Sequence, residues 1–175
     1  MSDRNQQLAD CDAPAVYRGV VQEAWIDINH HMNVAWYLLA FDFGIDGLWT
    51  EFGVTDERRE KAGDSTFAVE SHIRYLNELV LDEPFVVKSQ VIAFDQKRIH
   101  QFQFLFSEKT GKLSATCEWL HLHVDLTTRR VTDWPKDLLR NIANHPCTQT
   151  GMPLPEALGD VITIQQPIHS VESIV

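Results

Sequence analysis

The sequence predicts an α+β domain in which an antiparallel sheet curves around one buried central helix. Three observations carry that prediction. Residues 32–53 form one long stretch that is apolar on nearly every helical face. Four strand-like runs follow it, with the apolar period changed from helical to alternating. A further strand-like run precedes it. An antiparallel sheet has to cover one face with apolar material, and a helix apolar all round is what a strongly curved sheet can wrap.

Residues 1–14 are polar and end at Pro14, so a frayed leader is expected. Residues 15–26 (AVYRGVVQEAWI) mix β-branched and aromatic residues in partial alternation and read as the first strand. Asp27 to His31 is a polar break. In the central stretch, Met32, Ala35, Trp36, Leu39, Phe43 and Leu48 fall at helical spacings, and Leu38, Phe41 and Trp49 populate other faces, so the helix should be buried. Gly44 and Gly47 weaken it locally, and Gly53 is placed to stop it. Residues 54–64 are densely charged, as in an exposed loop or short helix.

The four later strands are 65–76, 84–95, 98–108 and 112–126, divided by turn signals, with Gly111 making the last turn tight. Asp133-Trp134-Pro135 then opens a short helix with Leu138, Leu139 and Ile142 on one face and Asp133 as its expected cap. This places one domain at 15–145. The remaining 146–175 is a Pro-containing, irregular tail in which residues 161–164 could add an edge strand, and its expected use is packing on a neighbouring subunit.

At 175 residues the chain can build a full core without disulfide or metal staples. A net charge of −10 argues against nucleic acid and against an anionic membrane surface. Cys11, Cys117 and Cys147 form no C-x-x-C pair, which fits a reducing compartment. The N-terminus has no apolar signal core and no apolar run is long enough to span a bilayer, so a cytoplasmic location is expected.

The most informative residues are Asp27, Asn29, His31 and Asn33, which alternate into the start of the central helix. A carboxylate there lies near unpaired backbone N–H groups and positive partial charge. A carbonyl oxygen could use the same donors as an oxyanion hole, with Asp27 attacking the carbonyl or acting as base on water. The alternative is that Asp27 or Asn29 only caps the helix.

The run Asp27-x-Asn29-x-His31-x-Asn33-x-x-x-Tyr37 resembles the D-x-x-x-H-x-N-x-x-x-Y signature of hotdog-fold acyl-CoA thioesterases of the 4-hydroxybenzoyl-CoA type. Residues 67–76 (FAVESHIRYL) look like that family's second strand, and the resemblance covers roughly 15–143. Val69 to Leu76, Asp95 to His100, and Ala115-Thr116 through Leu122 to Asp125 are similar to betainyl-CoA thioesterases, including the segment fused to some carnitine dehydrogenases. The resemblance implies a five- to six-stranded sheet around the helix, and a homodimer or dimer of dimers with active sites between subunits. It implies hydrolysis of a small acyl-CoA, betainyl-CoA among the candidates, with no cofactor apart from the coenzyme A of the substrate. Asp27 matches the catalytic carboxylate, the Val34 backbone N–H matches the thioester-oxygen donor, and Asn29, His31 and Asn33 shape the turn. The glycine that often precedes the motif histidine is His30 here.

A quaternary ammonium accepts no hydrogen bond, so a betainyl group would need aromatic faces and a counter-charge. Trp25, Trp36, Tyr37 and Trp119 are candidates for the faces and Glu70 for the charge. Glu70 and His72 share a strand face and either reach the acyl pocket or form a cross-strand polar cluster. Arg74, Lys97 and Arg98 are candidates for the coenzyme A phosphates, beside Arg129 and Arg130. His121 and His123 invite a metal reading, but Glu118 faces the other way and Asp125 lies beyond them, so hydrogen-bonded strand histidines and no metal are expected. No G-x-S-x-G elbow occurs, and Cys117 reads as core.

Two rivals remain open. A hydratase of the same fold has a D-x-N-P-x-H motif, but His30 and Met32 stand where its Pro and His would be. A non-catalytic acyl-CoA sensor would carry a DNA-binding segment, and the short leader is not basic.

Overall fold

A computed structural model describes residues 7–148 and 151–160; the edge strand expected at 161–164 lies outside them. Six antiparallel strands are present: β1 (Ala15–Val20), β2 (Asp64–Tyr75), β3 (Pro84–Phe94), β4 (Arg98–Ser107), β5 (Leu113–Asp125) and β6 (Arg130–Val131). Their order is β1-β3-β4-β5-β2, with β6 on β5. The long helix α1 (Val34–Phe52) lies on the inner face, followed by α2 (Asp56–Ala62), and α3 (Lys136–Asn144) closes the domain.

The alternation read from the sequence sorts the two faces of the sheet. Val87, Ile99, Leu105, Ala115 and Cys117 point inward and pack with Phe41, Ile45, Leu48 and Phe52 of α1. Gly44 lets the helix come close: a Cβ there would lie 2.9 Å from Gln103 Nε2 and 3.0 Å from Val16 Cγ2. Phe102, Phe104 and Phe106 point outward and are covered by Cys11 and Ala13 on one side and Ala157 on the other. Residues 7–14 are therefore anchored, with Lys88 Nζ donating to the Cys11 carbonyl, where fraying was expected. The outer aromatic row explains this, because it needs a cover.

Three local expectations change. The first strand ends at Val20, and Glu23–Trp25 forms a 3-10 turn instead of continuing it. Asp133 does not cap α3; it pairs with Lys97 at 3.5 Å, while Pro135 occupies the cap position without a side-chain bond. The central helix is not buried all round. Val34, Leu38 and Phe43 are 53%, 41% and 38% exposed, and Asp42 and Asp46 share that open side.

Candidate active site

The turn between β1 and α1 is fixed at both ends by backbone hydrogen bonds. Asn33 N–H donates to the Trp25 carbonyl and Met32 N–H to the Leu79 carbonyl. Within it, Asp27 N–H donates to the His31 carbonyl and His30 N–H to the Asp27 carbonyl, at 3.0 Å each. His30 takes φ +64°, the left-handed conformation for which glycine is favoured. His30 thus holds, with backbone strain, a conformation that glycine adopts freely.

The carboxylate of Asp27 is held by its own turn. Oδ1 accepts the Asn29 N–H at 2.8 Å, Asn33 Nδ2 lies 3.5 Å from Oδ2, and His31 Nδ1 lies 3.9 Å from Oδ1. The helix cap is Asn33, whose Oδ1 accepts the Ala35 N–H at 3.0 Å. Capping is therefore not the work of Asp27 or Asn29. Trp36 N–H turns back to the Asn33 carbonyl, and Val34 N–H is left without a partner among the described residues. A partly buried carboxylate and a free donor at the positive end of a helix thus sit on one short turn.

A cavity of about 200 Å³ opens beside this turn, lined by His31, Val34, Tyr37, Tyr75, Asn77 and Glu78 among others. The Tyr37 and Tyr75 rings meet edge to face at 5.4 Å. Tyr75 donates its hydroxyl to the Val34 carbonyl at 3.4 Å, and the Tyr37 hydroxyl accepts from Leu79 N–H at 3.0 Å. Burial, with the charges of Glu83 and Glu78 adding to it, raises the Tyr37 phenol to about 12. Tyr75 was legible as a strand residue only. Asn77 and Glu78 lie in the β2–β3 loop, where no periodicity marks a site.

The other candidates are distributed over the molecule. Trp25 stacks on Trp36 at 5.2 Å, at the same end of α1 as the motif. Trp119 is buried in the inner core with its Nε1 donating to Gln103. Glu70 and His72 face outward: His72 lies opposite Glu118 and Glu70 opposite Leu120. They line a separate cavity of about 550 Å³ with His100 and Glu118, whose side chains meet at 2.8 Å. That is the cross-strand polar arrangement, and it is not brought to the helix N-terminus. Arg74 pairs with Asp160 at 3.2 Å, Lys97 with Asp133, and Arg98 with Asp95 at 2.5 Å. Lys97 and Arg98 line one cavity of about 370 Å³ with Leu122 and Val131, and Arg74 is not part of its lining.

The strand histidines also differ from expectation. His121 lies edge-on to Trp49, and His123 stacks on Trp134 at 4.5 Å. Among the described residues His121 Nδ1 and both His123 ring nitrogens have no hydrogen-bond partner, although His123 Nε2 lies 3.5 Å from Asp64 Oδ2. Burial holds His121 down to about 4. Among the described residues no group of three or more potential ligands gathers as a metal site. Burial raises the Cys117 thiol far above its ordinary range, which suits a core residue.

Residues 21–142 match the model of the Thioesterase-like superfamily. The chain is 30% identical over 146 residues to a betainyl-CoA thioesterase of Pseudomonas aeruginosa, covering 83% of this chain and 92% of that protein. It is 34% identical over 122 residues to an L-carnitine dehydrogenase/betainyl-CoA thioesterase of Rhizobium meliloti, covering 70% of this chain and 24% of that longer protein. A hypothetical protein of Staphylococcus aureus, solved in complex with CoA, superposes with a TM-score of 0.81 at 30% identity, covering 87% of this chain and 96% of that one. A putative thioesterase of Pseudomonas putida superposes with a TM-score of 0.77 at 33% identity, covering 88% of this chain and 98% of that one. The sheet curled around α1 is the hotdog fold of these proteins. With the family model spanning residues 21–142 and the Pseudomonas aeruginosa relative aligned along 92% of its length, the chain belongs to the thioesterase-like superfamily.

Proposed function

We propose that this chain hydrolyses a small acyl-CoA thioester at the turn before α1, with betainyl-CoA the first candidate. The observation that carries the reading is the Asp27 carboxylate, held by Asn29 and Asn33 on the same turn as the free Val34 N–H. The thioester carbonyl oxygen takes the Val34 donor, and the helix N-terminus stabilises the negative charge that develops there. Two routes use this geometry. In one, Asp27 removes a proton from water, whose oxygen bonds to the carbonyl carbon as the C–S bond breaks and the thiolate of coenzyme A leaves. In the other, an Asp27 oxygen attacks the carbonyl carbon, the C–S bond breaks to release the coenzyme A thiolate, and water then cleaves the resulting anhydride into the free acid and the Asp27 carboxylate. The names of the relatives support the substrate class.

The test is thiol release from a panel of acyl-CoAs by the protein and by Asp27→Ala. Hydrolysis lost in a variant that melts normally supports the reading, and near-normal turnover by it defeats the reading. A single turnover in ¹⁸O-water separates the routes: label entering Asp27, after anhydride cleavage at the side chain, marks nucleophilic attack.

The working unit we propose is a homodimer or a dimer of dimers. β2 is an edge strand of the sheet with Val69 exposed, and α1 leaves Val34, Leu38 and Phe43 open. Sedimentation at micromolar concentration tests this, and a monomer there overturns it. Three free, buried cysteines fit a reducing compartment such as the cytoplasm.

A further inference from the structure

We propose that the cavity formed by Tyr37, Tyr75 and Glu78 is the acyl-group subsite, and that it selects a cationic acyl group. This rests on the thioesterase reading and assigns its substrate preference to particular side chains. The cavity adjoins the residue that offers the free backbone donor, since Val34 is part of its lining. An acyl group whose carbonyl oxygen sits on that donor is thereby directed at the two tyrosines. Their rings are fixed: Tyr75 by its bond to the Val34 carbonyl, Tyr37 by the bond from Leu79 N–H, and each by the edge-to-face contact with the other. Tyr75 is 47% exposed, so part of its ring remains open to a ligand.

Among the described residues Glu78 supplies the one carboxylate of this lining, beside His31. Aromatic faces beside one carboxylate suit a quaternary ammonium, which is held by ring quadrupoles and Coulomb attraction without hydrogen bonds. The same lining disfavours an anionic acyl group. Glu70, the sequence-based candidate for the counter-charge, faces outward across the sheet, and Glu78 takes that role here.

The experiment compares betainyl-CoA with 3,3-dimethylbutanoyl-CoA, in which carbon replaces the quaternary nitrogen. We expect kcat/KM for the cation to exceed that for the neutral isostere by about tenfold or more. Glu78→Gln should lower kcat/KM for betainyl-CoA about tenfold more than for the isostere. Tyr75→Leu, checked for an unaltered melting curve, should also reduce the cation's advantage. Equal rates on the two substrates in the unmodified protein overturn the inference while thioester hydrolysis stands. An equal loss on both in Glu78→Gln, or no loss on either, overturns it as well. If no acyl-CoA in the panel releases thiol, the thioesterase reading itself fails and takes the inference with it.

Discussion

The two ends of α1 use aromatic rings for opposite purposes. At its N-terminal end Trp25, Trp36, Tyr37 and Tyr75 lie around a turn whose carboxylate is held by hydrogen bonds, and a cavity opens beside the two tyrosines. At its C-terminal end Trp49, Trp119 and Trp134 pack around His121 and His123, and all five are buried. A polar side chain that is satisfied beside an opening is equipped for chemistry. His121, packed among rings with its Nδ1 unpartnered among the described residues, carries a desolvation cost that grows when it is charged.

Substitutions should separate the two ends, beginning with the largest effect. Asp27→Ala should lower kcat by about a thousandfold or more with little change in melting temperature, read by thiol release and calorimetry. Trp49→Ala should do the reverse, costing about 3–5 kcal/mol in denaturant unfolding while the folded fraction keeps its kcat.

Acid should attack the C-terminal end. Burial lowers His121 in the folded chain to about 4, from the ordinary histidine value of about 6.5 that the unfolded chain approaches. The unfolded state therefore binds the proton first, so the stability due to a neutral His121 is intact above about pH 6.5. It should fall as pH drops toward 4, by up to about 3 kcal/mol. Denaturant titrations at several pH values should show that slope in the protein and a shallower one in His121→Phe.

Smaller effects belong to the N-terminal turn. Asn33→Ala removes a helix cap, costing about 1 kcal/mol, and should also lower kcat because Asp27 loses a neighbour. Its melting curve and thiol-release rate should change together. His30→Gly should relieve the left-handed backbone and raise stability by about 1 kcal/mol, measured in urea, with kcat unchanged if His30 serves the turn alone.

Much of this comparison was legible in the sequence. The shift of apolar period after residue 65 located the strands, and Asp27 to Tyr37 located the turn, because both are local patterns. The open side of α1 was not legible. Hydropathy records that Leu38 and Phe43 are apolar and does not record which surface covers them. Glu70 and His72 share a face as read, but the face they share depends on the register of β2 against β5, with a shift between Ala68 and Glu70. Glu78 was missed because a loop residue acquires its neighbours only when β2 and β3 are brought beneath the start of the helix.

The amide of Asn33 faces two ways, with its oxygen on the first turn of α1 and its nitrogen toward Asp27. Stability and reactivity therefore pass through a single side chain, and neither can drift without the other registering it. Asn33→Asp would keep the cap but set two carboxylates against each other. The amide thus acts as a hinge pin between architecture and chemistry: a sequence that inherits this way of beginning its helix also inherits a carboxylate already aimed.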